Sequence, residues 1–306
     1  MNGMIIYPVY LNQSVDSVIE RFYDERWRQR VQMAVAAPFQ NLKQIFETAY
    51  AHYAQGDVAS AATLYQEMAE KKYVPAKFNL GLLYQYGLGV EQSYFKAEKL
   101  YQETAEQYFP PGECQLALLY KNGQGVERDY AKAAQFFQLS AKRGYPLAQY
   151  NLGLLYEEGF GVERDYGKAA EFFKRAKTQG SVSAAFRLGL LYFYGQGVEE
   201  SYAEAAKHFQ WASEQGHCQS QSTLGCLYEQ GLGVEQDYAK AAKFYQEAAK
   251  QKYAPAQYDL GRMYKEGLGV ERDYGKSRDW FKRAAKQGHI EAQHQLDLGF
   301  RKIAGQ

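Results

Sequence analysis

The chain is 306 residues long and carries 36 Lys and Arg against 35 Asp and Glu, a formal charge of +1. That balance excludes the basic excess that a phosphate-tracking nucleic-acid surface needs and a polybasic membrane anchor, and no apolar run approaches the roughly 20 residues that cross a bilayer. Three cysteines, Cys114, Cys218 and Cys226, are odd in number and irregularly placed, which argues against a disulfide framework and for a reducing compartment.

Taken in chain order, residues 1–40 stand apart. Met1 to Leu11 includes apolar residues but lacks the basic n-region of a secretory signal. The chain therefore reads as cytoplasmic, with a periplasmic or secreted location as the alternative if a signal peptide has been removed. From Val15 to Val35, the apolar Val18, Ile19, Phe22, Val31 and Val35 are interleaved with Glu20, Arg21, Asp24, Arg26 and Arg28. This predicts an amphipathic helix ended before Pro38, suited to cap the open core of the first unit. Residues 41–74 read as a shortened helix pair running from Leu42 to Lys71.

Six copies of Gly-x-Gly-Val follow, beginning at Gly87, Gly123, Gly159, Gly195, Gly231 and Gly267, always 36 residues apart. A fixed period of this length on helical sequence means stacked units that share a continuous core. It makes residues 75–290 six repeats within one elongated domain. The copy around Ala148 shows how a unit builds itself. Ala148, Leu152, Leu155 and Tyr156 fall at helical spacing and predict a buried stripe from Ala148 to Glu158. Gly153, repeated by Gly81, Gly189, Gly225 and Gly261 with Ala117 as the one substitution, lets a neighbouring helix come close. Gly159 ends the helix in the left-handed conformation, Gly161 makes the second bend, and Val162 turns back into the core.

Asp165 then opens a second helix. Ser93, Asp129, Ser201, Asp237 and Asp273 hold the same place, so every copy has a side chain able to accept from an unpaired first-turn amide. The second helix buries Ala169, Phe173 and Ala176. The turn beyond it carries rings at Tyr73, Phe109, Tyr145, His217, Tyr253 and His289, with Ser181 as the exception, and these staple one unit to the next. Glu291 to Lys302 predicts a last helix, which makes residues 291–306 the C-terminal cap.

The run Ala-x-x-x-Leu-Gly-x-Leu-Tyr-x-x-Gly-x-Gly-Val-x-x-Asp-Tyr-x-Lys-Ala-Ala, from Ala148 to Ala170, closely resembles the Sel1-like repeat, a relative of the tetratricopeptide repeat. The likeness covers residues 75 to 290 in six copies, while residues 41–74 lack the Gly-x-Gly-Val insertion and look like a plain tetratricopeptide repeat. The resemblance implies an all-α fold, a right-handed α-solenoid of stacked antiparallel helix pairs whose first helices line a concave groove. It also implies protein-binding work in adaptor, regulatory or toxin-immunity settings, most often in bacteria.

Aligned on Gly153, that family pattern puts Tyr150, Leu154, Glu157 and Glu158 on the concave side. The same register brings forward Phe78, Phe186 and Tyr258 as equivalents of Tyr150, Tyr86 and Tyr194 as equivalents of Glu158, Phe193 as that of Glu157, and Arg262 as that of Leu154. The candidate groove residues are therefore Phe78, Tyr86, Tyr150, Leu154, Phe186, Phe193, Tyr194, Tyr258 and Arg262. Rings bring large contact area at modest entropy cost and dominate binding hot spots, so the expected occupant is a protein or peptide segment. The competing reading is that some of these rings pack between helices.

The residues single out no chemistry. The Gly-x-Gly loops follow helices, not strands, and no Gly-Lys-Ser/Thr accompanies them, so they read as helix-ending turns and not as a nucleotide cradle. His217, Cys218 and Cys226 fit no zinc spacing, and His208 and His217 stand where other copies have aromatic residues. No catalytic residue, cofactor or metal is expected. The function predicted is a non-catalytic interaction scaffold or adaptor, with an immunity or regulatory protein that inhibits a bacterial effector enzyme as one alternative. A cell-wall or β-lactam-related enzyme is the other, through a family branch that carries a cysteine pair in every repeat; this chain lacks those pairs.

Overall fold

The computed structural model describes residues 38–303, and among them are fifteen helices and no strand. The helix read between Val15 and Val35, and Met1 to Leu11, lie outside the described residues. The chain divides into two compact units, one ending at Arg164 and one beginning at Asp165. The first contains α1 (Pro38–Ala54), α2 (Val58–Glu70), α3 (Val74–Tyr86), α4 (Tyr94–Ala105), α5 (Pro110–Asn122), α6 (Tyr130–Lys142) and α7 (Pro146–Glu158). The second contains α8 (Tyr166–Thr178), α9 (Val182–Tyr194), α10 (Tyr202–Glu214), α11 (Cys218–Gln230), α12 (Tyr238–Lys250), α13 (Ala254–Glu266), α14 (Tyr274–Ala285) and α15 (Ile290–Ile303).

Local chemistry sets the repeated helix ends. In all six copies the predicted Asp or Ser accepts a hydrogen bond from the amide three residues on, for instance Lys240 N to Asp237 Oδ1 at 2.9 Å and Glu204 N to Ser201 Oγ at 3.2 Å. Each such cap stabilises its helix by about 1 kcal/mol. Proline opens α5 and α7, where the missing N–H costs nothing. Gly159 closes α7 at φ 75°, its own amide bonded to Leu155 O at 2.8 Å.

Within each pair the helices run antiparallel. Ser93 N bonds to Tyr84 O at 2.9 Å, while Gly81, farther back on α3, lies beneath the ring of Tyr101, farther on along α4. The repeated small residue is the reason for this closeness: a Cβ on Gly225 would stand 2.9 Å from the ring of Tyr245. Gly161 has a role beyond the bend read from the sequence. Any Cβ there would run into the backbone of Tyr130, at the start of the preceding repeat's second helix. The loop is thus pressed against the preceding repeat, and only glycine fits.

The cores are built from the small and aromatic residues that the repeat supplies. Ala205, Phe209, Leu224 and Leu227 cluster in the second unit; Ala97, Tyr101, Leu116 and Leu119 do so in the first. Phe109 shares a cluster with Phe78 and Tyr101 of its own repeat and Leu116 of the next, which makes it the expected staple. A second tie joins the start of a first helix to the end of its partner. Gln221 and Gln251 bond at 2.8 Å, Gln257 and Gln287 at 2.8 Å, and Glu113 pairs with Arg143 at 3.1 Å in the same place. The motif's Tyr and Lys meet as well: Lys132, Lys240 and Lys276 sit 5.1, 5.2 and 5.4 Å over the rings of Tyr120, Tyr228 and Tyr264.

Candidate functional site

Three successive first helices of the second unit, α9, α11 and α13, together with Tyr245 of α12, line an open cavity of about 550 Å³. Its origin is legible in the repeat register. In the repeat of α9, the ring of Phe186 fills the space beside Phe209 and His217, at centroid distances of 5.7 and 5.0 Å. In the repeat of α13, Tyr258 does the same beside Phe281 and His289, at 5.6 and 4.8 Å. On α11 the equivalent residue is Ser222. One turn further on, Cys226 stands where α9 has Leu190. The ring and the branched chain that α9 carries are thus absent from α11, and both Ser222 and Cys226 line the cavity.

Aromatic and charged groups face each other across it. Leu190, Phe193 and Tyr194 come from α9. Phe193 meets Tyr194 and Tyr202 edge to face, at 4.9 and 5.1 Å, while Tyr194 is 61% exposed and forms the rim. Opposite, Arg262 Nη2 donates to Glu229 Oε2 at 2.7 Å, and Tyr245 OH donates to the same oxygen at 2.9 Å. Asp259 lies 3.7 Å from that guanidinium nitrogen, and Glu266 approaches the other at 3.7 Å. The Tyr245–Glu229 bond has a counterpart in the first unit, where Tyr101 OH donates to Gln85 at 2.7 Å. Where the second helix carries tyrosine, these two first helices supply the acceptor.

The half-buried charges are perturbed accordingly. Burial pushes Asp259 up to about 6, with Glu229 adding to the rise and Arg262 opposing it. Burial raises the Tyr245 phenol, and the charges of Asp259 and Glu229 raise it further. Burial also raises the Cys226 thiol, so at neutral pH it is a protonated, weakly nucleophilic group. His208 is pushed down to about 4 by burial and by Lys177, and stacks on Tyr192 at 5.4 Å, a packing role. No three His, Cys, Asp or Glu side chains converge as a metal site among the described residues.

Of the residues read from the sequence, the cavity brings together Phe193, Tyr194 and Arg262. Phe186 and Tyr258 pack into the ring pairs just described. In the first unit Phe78 is 4% exposed and lies against Tyr101 and Phe109, at 5.9 and 5.4 Å. Tyr86, Tyr150 and Leu154 are half-buried. Sequence reasoning did not bring forward Ser222, Cys226, Glu229 and Asp259, which also line the cavity. The signal available was the pair of small residues at two positions where neighbouring copies are bulky.

Successive antiparallel helix pairs that repeat one pattern of caps and glycines define the class: an α-solenoid repeat fold. The particular family follows from the sequence. The Sel1 repeat family matches residues 74–109, 110–145, 146–181, 182–217, 219–253 and 254–289, and the chain belongs to it. Among solved structures, it is similar to a protective antigen of uropathogenic Escherichia coli strains that displays an SLR fold. The identity is 32% and the TM-score 0.79, over 91% of this chain and 59% of that one. This chain thus spans under two thirds of that antigen's length. It is also similar to a Sel1 repeat protein of Oxalobacter formigenes, at 29% identity and TM-score 0.71, over 78% of this chain and 96% of that one. No curated protein matches. No helix among the described residues is long and apolar enough to cross a membrane.

Proposed function

We propose that the chain is a binding scaffold that holds a polypeptide segment along the first helices of its second unit, anchored in the cavity between α9, α11 and α13. The observation that carries this reading is the cavity itself, a gap in the wall opened by Ser222 and Cys226 beneath an exposed aromatic rim. Side chains presented by three consecutive helices suit an extended ligand, since each repeat adds a few contacts along one line. A recess with a projecting ring at its rim is also the geometry of an interface hot spot.

The test is a capture experiment with the full chain and its Ser222→Phe variant. The variant restores the residue that the preceding repeat already accommodates at Phe186, so it fills the cavity without disturbing the backbone. A protein retained from an extract of the encoding organism by the wild type and lost with Ser222→Phe supports the proposal. Equal retention by both overturns the anchoring role. Retention of no protein, together with turnover of a muropeptide, overturns the scaffold reading. If the captured protein is an enzyme whose activity falls on binding, the scaffold is an inhibitor and not an adaptor.

A further inference from the structure

Resting on that reading, we infer that the cavity between α9, α11 and α13 takes a cationic side chain of the bound segment, a guanidinium or an ammonium group. The charge arrangement is the first reason. Glu229 and Asp259 line the cavity against Arg262 alone, and Glu266 lies 3.7 Å from the other guanidinium nitrogen. Arg262 is therefore already surrounded by three carboxylates. An anionic ligand approaching it would face the charges of Glu229, held at 2.7 Å, and of Asp259 and Glu266. A cation meets the opposite situation, because Asp259 pairs with Arg262 only at 3.7 Å and shares it with Glu229 and Glu266, so the two carboxylates of the lining face a single cation.

The wall facing these carboxylates is the second reason. Phe193 and the exposed rim ring of Tyr194 lie across the cavity, and a guanidinium or ammonium is attracted to the negative face of such rings. Arginine adds planar stacking to the charge, and its donors match a carboxylate in pairs. The third reason is shape. About 550 Å³ falls in the range of small-ligand pockets and admits the long side chain of Arg or Lys, while the open rim allows the main chain to remain outside. Burial raises Asp259 despite the opposing charge of Arg262, and a bound cation would lower it.

The experiment is a titration of the isotope-labelled full chain with three capped amino acids, followed by amide chemical shifts. The probes are N-acetyl-arginine amide, its neutral citrulline analogue and N-acetyl-glutamate amide. The arginine probe is expected to shift amides around Ser222, Cys226, Glu229 and Asp259 and to saturate, with the citrulline analogue at least roughly tenfold weaker and the glutamate probe giving no saturable shift. Asp259→Asn should weaken the arginine probe about fivefold or more, and Cys226→Leu should abolish its binding while leaving the remaining spectrum in place. Equal binding of arginine and citrulline overturns the inference, because the cavity then reads shape and not charge. Saturation by the glutamate probe overturns it too, by making Arg262 the ligand group. If no probe binds in the cavity, yet Ser222→Phe still abolishes capture of a protein, the charge inference fails and the scaffold reading stands.

Discussion

The repeats at 182–217 and 219–253 share their helix pair, a side-chain cap on the second helix and their glycine pair, and differ in the side chains of the first helix, Phe186 and Leu190 against Ser222 and Cys226. In the first, Phe186 is wedged beside Phe209 and His217. In the second, Ser222 leaves that volume open beside Tyr245, which turns its hydroxyl to Glu229. The difference teaches how a periodic scaffold acquires a site. The backbone is held by caps, glycines and small-on-aromatic packing that recur everywhere, so one repeat can lose a ring without losing its fold. A pocket arises by omission, and its chemistry comes from whatever its neighbours then expose.

The largest expected effect comes from removing the ring that the first of these repeats retains. Phe186→Ala should cost about 3 kcal/mol in urea unfolding; a loss below about 1 kcal/mol would show that the ring is a surface group and that the two repeats do not differ in packing. A second pairing of equivalent places tests charge in place of volume. Glu113, 1% exposed and joined to Arg143, holds the position that Gln221 and Gln257 fill with neutral bonds.

Burial pushes Glu113 from 4.5 up to about 7, more than Arg143 can offset. The folded state therefore keeps a proton that the unfolded chain gives up near 4.5, and ionising the group destabilises the fold as pH rises through that window. Stability should fall by about 2 to 3 kcal/mol between those limits, and Glu113→Gln should flatten the profile. An unchanged slope in the variant would remove Glu113 from the account.

Smaller effects sharpen the comparison at the cavity. Ser222→Phe should change stability by no more than about 1 kcal/mol in either direction while closing the site; a large loss would mean that the second repeat cannot accept its neighbour's packing. Tyr245→Phe, which copies Phe209, should cost about 1 kcal/mol through the lost bond to Glu229. Last, affinity for N-acetyl-arginine amide should drop a fewfold from about pH 7.5 to about pH 5 as Asp259 takes up a proton. The groups facing Asp259 are Cys226 and Glu229 from α11, Tyr245 from α12, Tyr253 ahead of α13 and Arg262 on its own helix. Asp259→Asn should remove the pH dependence.

Much of the fold was readable because the repeated starts of the second helices and the repeated ends of the first helices carry their own chemical signals. Asp237 caps α12 and Gly159 closes α7 through contacts a few residues away, so a local reading suffices. Gly161 was read only in part, since the backbone that excludes a side chain there is Tyr130, in the preceding repeat. The site was legible in part for the same reason. Phe193, Tyr194 and Arg262 stand at variable first-helix positions and do line the cavity. Phe78 and Phe186 come from an equally variable position, yet their rings turn toward Tyr101 and Phe209 on the second helices. Variation along a repeat marks freedom from the common pattern, but does not say whether the free side chain points to solvent or fills the interior.

By itself, then, the sequence determined the period, the helix boundaries and the family, because a repeated cap, a repeated glycine and a repeated stripe act over a turn or two of chain. The tertiary structure decided where the array is open. A missing ring at Ser222 lies on a cavity only when Tyr245, Leu190 and Arg262 stand around it, and the carboxylate of Asp259 is raised by a second charge only because Glu229 lies on the facing helix. Packing and electrostatics depend on distances between residues far apart in the chain, and those distances exist only once the helices are stacked.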